Sequence, residues 1–295
     1  MPAAITRRFF LMASGIAIPG LFGSGAQADD GRRSIEARLK ELEIRSGGRL
    51  GVAVLNVATG RLVGHRIDER FAMCSTVKAL VAAFVLARVD RGEERLDRRV
   101  VFTERDLVPP SKATKPHVGP EGMTIAELCE AAVTVSDSTA ANLLLASFGG
   151  PAALTTYLRS LGDPVTRLDR IELDLNIVKP GDLRDTTTPG AMAETLRRLL
   201  LGNALSHASR IRLTTWMVEA KDAAAQRLRL GLPAGWRIAN KPGTWEGIST
   251  NDIGVIWPPH GGPIIVTAYL GEAPGSIGIQ EKILSDVARI VVGEV

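Results

Sequence analysis

The chain is poor in the residues that build metal centres and disulfide frameworks. It has 295 residues but two cysteines, Cys74 and Cys129, and four histidines, His65, His117, His207 and His260. The histidines are scattered without ligand-like spacing, so no zinc site and no other metal or cofactor is expected. Aromatics make up 4% of residues, and no basic run is interleaved with them, so nucleic acid is an unexpected partner. Beyond the N-terminal region no stretch is long and apolar enough to cross a bilayer. Internal repeats and low-complexity linkers are also missing.

The N-terminus reads as a leader. Thr6-Arg7-Arg8-Phe9-Phe10-Leu11 is a twin-arginine pattern, the stretch from Phe9 to about Phe22 is apolar but broken by Gly15, Pro19 and Gly20, and Ala26-Gln27-Ala28 is a small-x-small cleavage site. The alternative, a membrane anchor, fits a short run rich in glycine and proline poorly. Cleavage after Ala28 leaves a mature chain of 29–295 in the periplasm or an equivalent exterior. Loss of Arg7 and Arg8 takes the formal charge from +4 to +2. A disulfide is open to an exported protein. Cys74, however, directly precedes the serine discussed below and is held by its geometry, which favours two buried free thiols.

The 45% hydrophobic share suits an aliphatic globular core. Ser34 to Arg45 carries Ile35, Leu39 and Leu42 at helical spacing before Gly47-Gly48. Leu50 to Val57 and Arg61 to Ile67 alternate around Thr59-Gly60 as a β-hairpin. The middle, from Ser75 to about Ala225, is mainly helical. Strands return at Trp236 to Lys241, Asn251 to Trp257 and Pro263 to Leu270, and Gly278 to Val292 is an amphipathic helix. The expected fold is therefore α/β: an antiparallel sheet flanked by helices, built from both termini (about 29–70 and 226–295), with an inserted all-helical lobe (about 71–225). The active site is expected between the lobes, where pockets tend to form.

Four stretches carry candidate chemistry. Ser75-Thr76-Val77-Lys78 opens a segment, Val77 to Val89, that is apolar on every helical face. A serine in a first helical turn lies beside unpaired N–H groups, and a lysine three residues on shares its face. Hydroxyl, amine and N–H donors together suit acyl transfer, although Ser-x-x-Lys alone is also an ordinary capped helix. Ser136-Asp137-Ser138 precedes a helical run; it is an N-cap by itself, or a second hydroxyl relaying a proton. Arg167 to Thr187 reads as a long charged loop bracketed by Arg170 and Asp185. In it Glu172 can act as a general base through a water that Asn176 also holds. Finally, Asn240-Lys241-Pro242-Gly243-Thr244 offers a fixed positive charge, close backbone approach at Gly243 and an N–H at Thr244. Pro-Gly is equally a turn dipeptide.

Taken in this order, the stretches resemble the class A serine β-lactamases from about Ser34 to the C-terminus. Met73 to Lys78 matches the nucleophile motif, Thr134 to Asp137 the Ser-Asp-Asn region, and Lys241 with Gly243 the Lys-Thr-Gly strand. Leu168-Asp169-Arg170, Glu172, Leu175-Asn176 and Arg184 to Thr187 match the Ω-loop. The flanks Gly122-Met123-Thr124, Leu232 to Trp236, Asn251-Asp252-Ile253 and Trp257-Pro258-Pro259 agree as well.

The resemblance implies attack by Ser75, an oxyanion held by the N–H groups of Ser75 and Thr244, proton delivery by Ser136, and a hydrolytic water on Glu172 and Asn176. It leaves open whether Lys78 or Glu172 is the base for acylation. Lys241 and Arg227 are candidates for the substrate carboxylate. Arg227 lies where some carbapenem-hydrolysing relatives carry an arginine, and it reads equally as a surface charge. A small-molecule β-lactam is the implied partner and a monomer the implied state. The alternatives are a D-Ala-D-Ala peptidase and a β-lactam receptor that acylates and stalls.

The departures from the family pattern fall on the grip and on the loop. Ser138 stands where the family usually has asparagine. Pro242 removes a hydroxyl donor to the carboxylate, worth about 1.5–3 kcal/mol, although Thr244 partly restores it. Leu173 replaces the proline after Glu172 at a bond usually cis in relatives, so the loop is expected to be strained or differently shaped. Pro110 takes the place of an aromatic gate residue. Ala82 and Trp245 stand where partner cysteines for Cys129 and Cys74 occur in some members.

Overall fold

The computed structural model describes residues 24–294 except 178 and 180, with side chains described from residue 35 onward. The leader's Arg7-Arg8 pair and its apolar stretch lie outside the described residues.

Helix α1 spans Ser24–Ser46. It starts ten residues before Ser34, where the apolar stripe of Ile35, Leu39 and Leu42, all buried, begins. Gly47, at φ +66°, ends it in the left-handed conformation that glycine adopts without a Cβ penalty. Strands β1 (Arg49–Asn56) and β2 (Leu62–His65) form the expected hairpin, with Val54 opposite Val63. Strand β3 (Phe71–Ala72) leads into a 3₁₀ turn, Cys74–Thr76, and then helix α2, Val77–Asp90. Every residue of α2 from Val77 to Ala87 is buried, as an all-round apolar helix requires.

A short ribbon, β4 (Arg99–Phe102) with β5 (Gly119–Thr124), precedes helix α3, Ile125–Thr134. Thr124 and Glu127 form a reciprocal capping box at its start. Helices α4 (Ser138–Ser147) and α5 (Gly150–Ser160) follow, then the long loop that ends in β6 (Thr186–Thr187). Helices α6 (Pro189–Leu196), α7 (His207–Val218) and α8 (Ala223–Gln226) complete the helical part. The chain closes with β7 (Arg237–Trp245), β8 (Ser249–Trp257), β9 (Ile264–Gly271) and helix α9, Ile277–Val292.

The main sheet has the order β2-β1-β9-β8-β7, antiparallel throughout. Its strands come from both ends of the chain, with helices between them in sequence, as expected. One face packs on α1 and α9 through Leu39, Leu42, Leu270, Leu284 and Val287. The other packs on the helical part through Ala53, Ala239, Ile253 and Tyr269, in a cluster that includes Leu80, Leu144 and Met217. Each fully buried leucine, isoleucine or valine contributes about 1.5–3 kcal/mol.

Of the two readings of Pro242-Gly243, the turn is the one that does not hold: β7 runs past the expected end at Lys241, through both residues to Trp245, with Pro242 paired to Asp252 and Gly243 to Asn251. Strand β7 is the edge of the sheet, and an edge strand accommodates proline because half of its N–H groups point away from the ladder.

Candidate active site

The site is assembled where β7, the 3₁₀ turn, α2, the α3–α4 connection and the 167–187 loop meet. Ser75 lies in the 3₁₀ turn immediately before α2 rather than in the α-helix itself, and it is half-buried. Residues around it are held from several directions. Met73 N–H donates to Asp185 O (3.1 Å), while Met73 O accepts from Thr76 N (3.2 Å), Thr76 Oγ1 (2.8 Å) and Asn251 Nδ2 (3.2 Å). Asn251 Nδ2 also donates to Ala72 O at 2.9 Å. At Gly243 an added Cβ would lie 2.8 Å from Met73 O and 3.1 Å from Thr76 N. Only glycine lets β7 come this close to the turn. Cys74 and Cys129 are both free and buried, as expected; burial pushes the Cys74 thiol up to about 12.

Lys78, the second residue of α2 and one turn beyond Ser75, is 1% exposed. Its Nζ donates to Ser136 O (2.8 Å), lies 3.5 Å from Ser136 Oγ and 3.3 Å from Ser138 Oγ, and forms an ion pair with Glu172 Oε1 at 2.8 Å. Lys241 Nζ, from β7, donates to Ser136 Oγ and to Pro242 O, each at 3.0 Å. Two amines from different parts of the fold therefore converge on one hydroxyl. Burial, and then the neighbouring charge of Lys78, hold Lys241 well below the usual lysine range.

Ser136 is presented by a left-handed backbone, φ +58°. The turn is fixed by Asp137, which caps α4 through Ala140 N (2.9 Å) and also accepts from the N–H groups of Ala113 (2.9 Å) and Thr114 (3.0 Å). The capping role read from the sequence is thus real, and it places Ser136 beside both lysines. Ser138 is buried, with its N–H on Pro110 O at 2.8 Å.

The long loop is closed by the two residues that bracket it in the sequence. Asp185 accepts from Asp169 N, Arg170 N and Arg170 Nε, the last at 2.5 Å. Inside it the Glu172–Leu173 peptide bond is cis. Glu172 Oε2 accepts from Asn176 Nδ2 at 2.7 Å, and Asn176 Oδ1 is a buried acceptor with no hydrogen-bond partner among the described residues. Asn142, which our reading of the sequence gave no role, holds Glu172 by its backbone. Its Oδ1 accepts from Glu172 N (2.9 Å) and its Nδ2 donates to Glu172 O (3.0 Å). The available signal was its spacing, one helical turn after Ser138 and so on the same face of α4.

Arg227 is not a surface charge. It is 1% exposed. Its Nη1 donates to Gly243 O and Asn251 O, each at 2.7 Å, and its Nη2 donates to Thr244 Oγ1 at 2.5 Å and approaches Glu281 Oε1 at 3.4 Å. A separate groove of about 660 Å³, lined by Arg70, Phe71, Leu183 and Ile248 among others, includes none of the residues of this cluster. Among the described residues no group of three or more His, Cys, Asp or Glu is placed to hold a metal ion.

A serine-bearing turn thus lies against the edge strand of an antiparallel sheet flanked by helices, with two lysines and a carboxylate beside it. Residues 34–295 match the model of the β-lactamase enzyme family. Beta-lactamase OXY-1 of Klebsiella oxytoca is 43% identical over 288 residues, 97% of each chain. Beta-lactamase L2 of Stenotrophomonas maltophilia is 42% identical over 97% of this chain and 98% of its own. The structure of an ancestral Gram-negative class A β-lactamase superposes with a TM-score of 0.87 at 60% identity, covering 88% of this chain and all of that one. The chain belongs to the class A β-lactamase family.

Proposed function

We propose that the protein hydrolyses the β-lactam amide through an acyl-enzyme on Ser75. The observation that carries this reading is the Lys78–Glu172 ion pair at 2.8 Å, with Asn176 on the other carboxylate oxygen at 2.7 Å. A serine–lysine peptidase, or a receptor that stalls, has no use for the Glu172–Asn176 pair; an enzyme that must release its acyl group does.

Ser75 attacks the ring carbonyl, and its proton leaves through Lys78 or Glu172, which are themselves in contact. The oxyanion forms against the N–H groups of Ser75 and Thr244; the position of Thr244 on the sheet's edge strand supports this. Ser136 Oγ, bonded to Lys241 and near Lys78, passes a proton to the departing ring nitrogen. A water between Glu172 and the free acceptor Asn176 Oδ1 then cleaves the ester. Lys241 supplies the charge for the substrate carboxylate. Arg227, enclosed by backbone carbonyls, acts on that carboxylate through Thr244. Because Thr244 Oγ1 accepts from the guanidinium, its own proton is turned elsewhere and is free to donate to the ligand. Ser138 lines the site beside Lys78. The mature enzyme is proposed to be a periplasmic monomer of residues 29–295, exported by the twin-arginine route. Its α/β lobe is 29–70 with 226–295, and its helical lobe is 71–225.

Steady-state hydrolysis of a chromogenic cephalosporin by the mature protein is expected, and Ser75→Ala abolishes it. Glu172→Ala accumulates a covalent adduct detectable by intact mass. A single stoichiometric burst from the unmodified protein, or release of D-alanine from a D-Ala-D-Ala peptide in place of lactam hydrolysis, would overturn the proposal.

A further inference from the structure

Beside β3, where the chain approaches the nucleophile turn, lies the groove of about 660 Å³ that shares no lining residue with the catalytic cluster. Small-molecule sites run to about 300–1,000 Å³ and are mostly apolar, with a few placed polar groups. The apolar part here is Phe71 of β3, Leu183 of the long loop and Ile248 of the β7–β8 turn. Phe71 is buried and fixed: its ring lies 4.0 Å from the Arg49 guanidinium and stacks on Tyr269 at 5.9 Å. Leu183 and Ile248 are 51% and 39% exposed, so both have apolar surface left for a ligand to cover.

The charges along the groove leave one cation over. Glu69 is paired with Arg49 at 3.2 Å and with Arg66 at 2.8 Å, and Asp182 with Arg184 at 2.8 Å. Lys179 and Glu272 are exposed and offset each other in sign. Arg70 is half-buried, with no carboxylate at contact distance among the described residues. Its Nη1 donates to Thr186 Oγ1 (2.9 Å) and its Nη2 to Val165 O (3.1 Å), two neutral acceptors for a group with five N–H donors. Burial, and then the charges of Arg167 and Arg159, hold Arg70 below the usual arginine range. Asp163 opposes them, but its oxygens are taken by Val165 N, Thr166 N and Thr195 Oγ1. A guanidinium with donors to spare is suited to a carboxylate.

We propose that this groove is a second binding site, for a small organic carboxylate whose apolar body has the size of a fused bicyclic ring. The carboxylate meets the Arg70 guanidinium, which Thr186 holds at the groove, and the body lies against Phe71, Leu183 and Ile248. Occupancy leaves Ser75 accessible, because the groove and the catalytic cluster are lined by different residues.

The probe is 2-naphthoate, titrated calorimetrically into the mature protein, with naphthalene-2-carboxamide as its uncharged counterpart. The acid is expected to bind at one site and the amide about tenfold or more weaker, because the charge-assisted hydrogen bonds are lost. Arg70→Gln and Leu183→Glu are each expected to weaken the acid by a similar factor. Leu183 is half-exposed, so Leu183→Glu is expected to fold and to give the answer even if Arg70→Gln, which also releases Thr186 and Val165, does not. Absence of binding at millimolar probe, equal affinity for acid and amide, or unchanged affinity in Leu183→Glu overturns the proposal. Displacement of the probe by a lactam that acylates Ser75 overturns it too, since the probe would then occupy the catalytic site.

Discussion

Asn142→Ala is the perturbation that best isolates the water-bearing loop. Asn142 makes two hydrogen bonds to the backbone of Glu172, at 2.9 and 3.0 Å, and touches neither Ser75 nor the two lysines. Its loss leaves one N–H and one C=O unpaired at a partly buried position. Each orphan costs about 1–3 kcal/mol, and partial access of water to the loop sets the total near the low end, about 3 kcal/mol. Applied to the deacylation barrier, that is a slowing of roughly a hundredfold. Acylation should fall less, because the Ser75 turn is tied down independently by Asp185, Asn251 and Thr76. For a chain of this size the same energy lowers Tm by about 5–10 °C. Rapid-quench kinetics on a chromogenic cephalosporin should show a burst of one product per enzyme followed by a slow steady state, with the acyl adduct visible by intact mass. Equal losses in both steps, or wild-type turnover with an unchanged Tm, would refute the reasoning.

Gly243→Ala places a methyl group 2.8 Å from Met73 O, so β7 must draw back from the nucleophile turn; single-turnover acylation should slow by about ten- to a hundredfold, as expected for a small misplacement of the oxyanion donors. Burial raises Asp252 from the ordinary 3.8 to about 6. The stability linked to this shift is fully present below about pH 3.8 and is lost as pH rises through about 6. Urea unfolding should therefore show the advantage of the wild type over Asp252→Asn shrinking by about 3 kcal/mol between pH 4 and pH 7; a constant difference would contradict the burial of an ionising carboxylate.

Much of this was legible in the sequence because local rules and tertiary demands agree there. The all-round apolar run of α2, the alternation of β1 and β2, and the Ser136-Asp137 cap each mean the same thing in isolation as in the fold. Reading failed where a neighbour far along the chain decides. Pro242-Gly243 has the chemistry of a turn, yet the ladder to Asp252 and Asn251 keeps it a strand. Arg227 is one arginine among many, and nothing local announces that Gly243 O, Asn251 O and Thr244 Oγ1 enclose it. Asn142 and Asp252 look like ordinary polar positions until the backbone of Glu172 is brought to one and the Asn240 amide with the Leu228 N–H to the other. The early start of α1 was hidden because its first turns lack an apolar stripe.

The pairing of β1 with β9 also governs how the molecule can come into being. Leu50 meets Leu270 across about 220 residues, so the first strand made is left with an open apolar edge until the last strand has been synthesised. Such non-local closure is slow and exposes the growing chain to aggregation. Yet α1 and α9 lie against each other on the same face of the sheet. Joining the ends there, and opening the chain in an exposed turn between helices, would turn this distant pairing into a local one; such a circular permutant should refold faster than the native order.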